Sequence, residues 1–204
     1  MNLSGDCDHP LITLVSRGSF CHDTHWGRDP DRKWDVTFAD DPAQINHRTG
    51  PSASAGPRCT GQNGGIQCGV AGYEQFEQLV RDVRGRLARD LLAGYLNCHS
   101  ISHRTRPIVY VFECRKGRHR SVAVCELLAH CMHTCGMSNV KVLHEHLHHH
   151  RSYYSRDHVH TSGSCGCPHR CRSNPNNDMQ HTWGLFLMEA RRRARTAWSE
   201  YRFS

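Results

Sequence analysis

Apolar and polar residues follow strand-like and helix-like patterns over the first two thirds of the chain. Short β-branched runs at 11–15 and 107–112 and a period-two segment at 34–38 predict three strands. Residues 140–143 form a fourth short run of the same kind. The run at 107–112 is apolar on both faces, which is typical of a central strand in a parallel sheet.

Two other segments repeat apolar residues every three or four positions. The spacing between Tyr73 and Tyr95, with Arg and Asp on the other face, predicts an amphipathic helix over 73–97. A second helix is predicted after Ser121 and ends before Gly136. This succession of strands and helices predicts an α/β domain with a mainly parallel sheet, a Rossmann-like three-layer fold, over residues 10–150.

The other segments differ from this domain in composition. Residues 1–9 form an N-terminal tail, and 51–69, which are rich in Gly, Ser, Pro and Thr, are expected to be a flexible insertion. Residues 151–181 are rich in His and Cys and have too few aliphatic residues to bury a core. A basic amphipathic helix is predicted at 182–204, with Phe186 among the aromatic residues that dock on the domain.

Charge and cysteine usage narrow the class of protein. The net charge of +7 favours anionic partners such as phosphate esters or nucleic acid, although many basic proteins are domains with solvated Arg and Lys. The N-terminus lacks a secretory signal, and no stretch approaches the roughly 20 apolar residues that cross a membrane. We therefore expect a cytoplasmic protein without a membrane span, in which the 12 cysteines stay reduced.

The segment from Cys114 to Ser121 lies between a predicted buried strand and a predicted helix. Unpaired N–H groups and the dipole at a helix start favour an anion, and ligands of open parallel sheets bind at the carboxyl ends of strands. Basic side chains supply further donors, and a glycine permits close backbone approach. The predicted phosphate-binding residues of this loop are Lys116, Gly117, Arg118, His119, Arg120 and Ser121. The alternative is a solvated basic loop in which Ser121 only caps the helix.

The same loop reads Cys-x5-Arg-Ser and resembles the catalytic loop of tyrosine and dual-specificity phosphatases. That resemblance implies a thiolate nucleophile at Cys114 and a phosphoryl-binding guanidinium at Arg120. Glu113 stands where those phosphatases usually have His, and the sequence places no general-acid Asp at the site. A Cys-dependent phosphatase is therefore the alternative to a binding domain.

Several segments, in the same order, resemble the C-terminal domain of the RapZ RNase adapter family. Residues 12–16 with Gly18 resemble its first strand and Ser-x-Gly turn, and 34–38 resemble its Phe-Asp-Val-Arg-Phe segment. The most specific similarity is to its Cys-Thr-Gly-Gly-Lys-His-Arg-Ser-Val loop, carried by Cys114, Gly117, His119, Arg120, Ser121 and Val122. Residues 142–147 resemble its Val-x-His-Arg-Asp-Leu ending.

The RapZ resemblance implies a binding domain rather than an enzyme. It implies recognition of a phosphorylated small molecule of the phosphosugar kind, and contact with RNA as a second partner. Ser16, Gly18 and Asp35 are then expected to form the wall of the cleft opposite the loop. No cofactor is required for this role, and the sequence leaves open whether the chain forms a homo-oligomer.

Two features outside the domain carry further hypotheses. Cys165, Cys167 and Cys171, with His160, offer thiolate and imidazole ligands for zinc, or belong to a polar segment without metal. The arginines within 191–195 offer contacts to nucleic-acid phosphate or anionic lipid, or form a solvated helix face.

Overall fold

The computed structural model describes residues 10–19, 30–38, 61–62, 64–97, 106–115, 117, 119–145 and 177–199. These residues form four strands, β1 (Ile12–Gly18), β2 (Arg32–Asp35), β3 (Ile108–Cys114) and β4 (Val140–His144). They also form four helices, α1 (Gly64–Ala71), α2 (Glu74–Asn97), α3 (Arg120–Thr134) and α4 (Asn177–Ser199). Within this part of the chain, no helix is long and apolar enough to cross a membrane.

The four strands form one parallel sheet in the order β2-β3-β1-β4. Ile12 of the central strand β1 pairs with Ile108 of β3 on one side and with Val140 of β4 on the other. All seven residues of β1 are buried, as the apolar runs in the sequence predict for a central parallel strand. The prediction of a mainly parallel α/β fold is confirmed.

The two faces of the sheet bury different clusters, because successive side chains of a strand point to opposite faces. Leu14, Tyr110 and Phe112 belong to a core that includes residues of all four helices. Val15, Val109 and Val111 form a separate cluster on the other face, where none of the three is more than 6% exposed. Burial of both faces is typical of a parallel sheet in a three-layer domain.

Two acidic residues of α2 anchor this helix over the sheet. Asp82 accepts a hydrogen bond of 2.6 Å from Trp34 Nε1, and Asp90 accepts one of 2.7 Å from the Tyr110 hydroxyl. Trp34 in turn stacks on Phe112 with ring centroids 5.2 Å apart. Burial and the bond to Asp90 raise the pKa of Tyr110, so the phenol remains a donor. Both carboxylates therefore hold α2 against aromatic side chains of the sheet.

The helix α1 corrects the predicted insertion at 51–69 for residues 64–69, while 51–60 lie outside the described residues. Ile66 is 2% exposed and Val70 is not exposed, and α1 packs against α4. Glycine-rich segments have low intrinsic helix propensity, so the sequence pattern favoured a loop. Tertiary packing of the apolar side chains overrides that preference.

The helix α4 also differs from its prediction, since it begins before residue 182, while 200–204 lie outside the described residues. Its second half belongs to the core, through the buried residues Ala190, Ala194, Ala197 and Trp198. Arg84 of α2 donates a hydrogen bond to the carbonyl of Trp198 at the end of this helix. The prediction that Phe186 docks is wrong: it is 41% exposed, because the buried stripe begins one turn later.

Candidate anion-binding site

The loop after β3 folds back over the strand end from which it leaves. The carbonyl of Cys114 accepts hydrogen bonds from the N–H groups of Gly117, at 3.2 Å, and Ser19, at 3.0 Å. Ser19 follows β1 directly, so these bonds tie the loop to the neighbouring strand. The loop therefore lies at the carboxyl ends of the two central strands, where ligands of parallel sheets bind.

Gly117 brings the loop into backbone contact with the end of β1. Its φ is 63°, in the left-handed region that favours glycine. A Cβ at this position would meet the backbone of Arg17 and Gly18. The structure thus places two predicted ligand residues, Gly117 and Gly18, against each other.

The first turn of α3 is also covered closely by backbone. A Cβ at Gly61 would meet the His119 carbonyl, the Ala123 amide and the Val122 side chain. Gly61 lies within the segment predicted as an insertion, so this contact was not predicted from the sequence. The residues just before α1 therefore form one side of the helix start.

Within the described residues, the N-cap residue of α3 does not cap the helix with its own side chain. His119 occupies the N-cap position and makes no capping hydrogen bond with its side chain. Ser121, the proposed cap of the alternative reading, lies inside the first turn, and its Oγ is 3.2 Å from Cys114 Sγ. The reading of Ser121 as a cap is wrong, since the buried hydroxyl faces the thiol instead. The positive end of the helix dipole points into the loop.

Arg120 connects the start of α3 to the residues after β2. Its guanidinium donates a hydrogen bond of 2.9 Å to the Thr37 carbonyl. Asp35 is exposed, and its Oδ1 accepts a bond of 2.8 Å from the Thr37 N–H. Asp35 thus holds the turn that fixes Arg120.

Glu113 points to the opposite sheet face from Cys114 and pairs with Lys33 at 3.1 Å.

Ser16 belongs to a hydrogen-bonded chain that crosses three elements. Its Oγ is 2.8 Å from Nδ1 of His144 on β4, and Nε2 of this ring is 3.0 Å from Oε1 of Glu126 on α3. Gln62 donates a bond of 3.3 Å to the same carboxylate oxygen. The bond from His144 lowers the pKa of Glu126 more than burial raises it.

Sequence reasoning did not place His144, Glu126 or Gln62 in the site. The structure places His144 beside Ser16 through the parallel register of β1 with β4, which the sequence pattern does not specify. Lys116, Arg118 and the proposed zinc ligands, Cys165, Cys167, Cys171 and His160, lie outside the described residues. For those positions the predictions stand as predictions.

Comparison with known proteins supports one assignment for the chain. Residues 13–148, about two thirds of the sequence, match the family model described as the RapZ C-terminal domain. No curated protein matches the chain. The matched residues include all of the sheet except Ile12, together with the loop after β3 and the helix α3. The chain therefore belongs to the RapZ C-terminal domain family, a family of regulatory and binding domains.

Proposed function

We propose that this protein is a regulatory domain that binds a phosphorylated small molecule at the loop between β3 and α3. The observation that carries the proposal is the close contact of Gly117 with Gly18 beside the start of α3, where the first described turn begins. The N–H groups in the first turn of a helix and the positive end of its dipole favour an anion, and many proteins bind phosphate in this way.

The side chains around this loop favour a phosphate ester whose remaining part carries polar groups. Arg120 is oriented by Thr37 at the loop, where a guanidinium suits a phosphate group. The exposed carboxylate of Asp35 offers hydrogen-bond acceptors to hydroxyl or ammonium groups of the same ligand. These contacts and the family membership support a phosphosugar-like ligand.

Thermal unfolding with a panel of hexose 6-phosphates, inorganic phosphate and the unphosphorylated sugars tests the proposal. A ligand at 100 times its Kd stabilises the folded state by about 2.7 kcal/mol, which raises the Tm by roughly 5–11 °C for a chain of this size. We expect a phosphosugar to do so in the wild type and in Arg89→Ala, an exposed arginine of α2. Arg120→Ala should lose most of the response. No response of the wild type to any phosphate compound would contradict the proposal.

A Cys-dependent phosphatase is the second candidate, and one contact favours it. Cys114 Sγ lies 3.2 Å from the Ser121 hydroxyl, which would stabilise a thiolate at the helix start. The 2% exposure of Cys114 opposes attack on a substrate. Hydrolysis of an aryl phosphate by the wild type that is abolished in Cys114→Ser would establish this activity; equal, negligible rates in both would exclude it for that substrate.

Contact with RNA is a further proposal, supported by the exposed face of α4. Glu189 pairs with Arg192 and Arg193 at 2.7 Å, while Arg191 and Arg195 are exposed and form no ion pair with any other described residue. Phosphate contacts make affinity fall steeply with salt. Arg191→Ala with Arg195→Ala should weaken RNA binding and reduce its salt dependence; unchanged binding would remove α4 from the proposal.

A further inference from the structure

Ser16, His144 and Glu126 form a continuous chain of hydrogen bonds below the anion-binding loop. Ser16 lies two residues before Gly18 on β1, which is about 7 Å along the strand. Glu126 lies six residues after Arg120 on α3, which is about 9 Å along the helix. His144 joins them through bonds of 2.8 and 3.0 Å and is 12% exposed at its side chain. The chain therefore links the two walls that hold the loop.

The hydrogen bonds of this chain accommodate both protonation states of His144. An ionised carboxylate only accepts, so Nε2 of the ring donates to Glu126 in either state. When the ring is neutral, Nδ1 accepts the hydroxyl hydrogen of Ser16. When the ring is protonated, Nδ1 donates to Ser16 Oγ, and the hydroxyl hydrogen turns to another acceptor. Protonation thus reverses one hydrogen bond without breaking the chain.

The total charge of the hydrogen-bonded group formed by Ser16, His144 and Glu126 differs between the neutral and the protonated state of His144. The bond from His144 lowers the pKa of Glu126, so the carboxylate is ionised near neutral pH. A neutral ring leaves a net charge of about −1 below the loop, which opposes an anion bound above it. A protonated ring cancels that charge. The half-buried position limits screening by salt.

The neighbouring charged and polar groups are not expected to imitate this effect. Gln62 does not titrate, and Arg191 of α4, which also lowers the pKa of Glu126, keeps its charge. Glu145 follows His144 but pairs with Arg17 at 3.4 Å. His119 at the start of α3 is a second histidine at the site, so the experiment must separate its contribution from that of His144.

We infer that His144 makes anion binding at the β3–α3 loop dependent on pH, with tighter binding when its imidazole is protonated. This inference rests on the proposed function, because it assigns the regulation of the same site. It gives His144 the role of a positioning residue that acts through Ser16 and Glu126.

Sulfate is a suitable probe, since it keeps its charge between pH 5.5 and 8. Titration calorimetry at constant ionic strength should show about tenfold tighter sulfate binding to the wild type at pH 5.5 than at pH 8. His144→Gln should flatten the profile. Glu126→Gln should bind sulfate more tightly than the wild type at pH 8, which loss of structure alone would not produce. The exposed His133→Gln lies outside the site and serves as the control; it should retain both the affinity and the slope.

The outcomes distinguish failure of the proposed function from failure of the role assigned to His144. Absence of sulfate and phosphosugar binding at every pH would contradict the proposed function itself. Binding with a flat pH profile, or a slope that survives His144→Gln and disappears in His119→Gln, would overturn only the role of His144.

If His144→Gln does not fold, Glu126→Gln and the wild type decide. By linkage, bound sulfate must move the NMR titration of the His144 ring protons to higher pH by the logarithm of the same affinity ratio. An unmoved titration would overturn the inference.

Discussion

The carboxyl edge of the sheet and the core between sheet and helices are built from opposite kinds of side chain. At the edge, Ser16 and Ser121 are fully buried and bonded to His144 and Cys114. In the core, Phe76 and Leu127 are buried just as completely among apolar neighbours. Burial alone therefore does not separate the two regions; the chemistry of what is buried does.

The difference teaches where each region obtains its stability. Apolar side chains stabilise in proportion to the area that they remove from water. Buried polar groups cost free energy unless each one is hydrogen-bonded, so the edge depends on complete partnerships. Changes in the core should alter the free energy of unfolding, whereas changes at the edge should alter the response to anions beyond any loss of stability.

Truncation of a core residue should give the largest loss of stability. Phe76 is fully buried on α2, and Phe76→Ala should lower the free energy of unfolding by about 3–5 kcal/mol through lost burial and a cavity. Leu92→Ala on the same helix, where the side chain is 58% exposed, should change it by less than about 0.5 kcal/mol. Urea denaturation measures both. Similar losses in the two variants would show that the core is not the region assigned here.

A substitution of Gly117 should most clearly separate an effect on anion binding from an effect on stability. Gly117→Ala forces a side chain into the left-handed region and against the backbone of Gly18, at a cost of about 1–3 kcal/mol or more. Gly136 offers a matched control, because its φ is 85° and a Cβ there would meet nothing within 4 Å.

Both variants should lose stability, but only Gly117→Ala should also lose stabilisation by phosphosugar in thermal unfolding. An intact response in Gly117→Ala would mean that the anion does not bind where the loop meets β1.

The same contrast explains how much could be predicted from the sequence. The β-branched runs and the three- and four-residue spacing of α2 directly report burial on strands and helices, and those predictions are confirmed. The conformation of α1 could not be predicted in this way. Its glycines have a low intrinsic helix propensity. The packing against α4 that stabilises the helix involves residues more than a hundred positions away.

In the candidate site too, features set by neighbouring residues could be predicted and contacts between distant residues could not. The strand–loop–helix order around Cys114 is local, so the place of the loop was readable from the pattern. The partner of Ser16 was not, because His144 lies 128 residues further along the chain. Only the register of β1 with β4 brings these two side chains together.

Acid should bring the stability of the wild type closer to that of a variant at the carboxyl edge. The bond from His144 lowers the pKa of Glu126, so this carboxylate stabilises the fold above its unfolded pKa near 4.5, and the contribution is lost as pH falls through the folded value. Glu126→Gln should cost about 1 kcal/mol at pH 7 and less at pH 3.5, as measured by urea denaturation. A cost that grows in acid would contradict the assigned direction.

The smallest effect should come from the carboxylate whose pKa is lowered further. Bonds from Arg192 and Arg193 lower the pKa of Glu189 to about 2, yet this residue lies on the solvated face of α4. Water and salt screen such pairs, and the long side chains lose entropy when they are held in place. Glu189→Gln should therefore change the Tm less than Glu126→Gln, and the small change should shrink further in 1 M salt. A larger change for Glu189→Gln would mean that charge pairing on the helix surface outweighs the partly buried bond between Glu126 and His144.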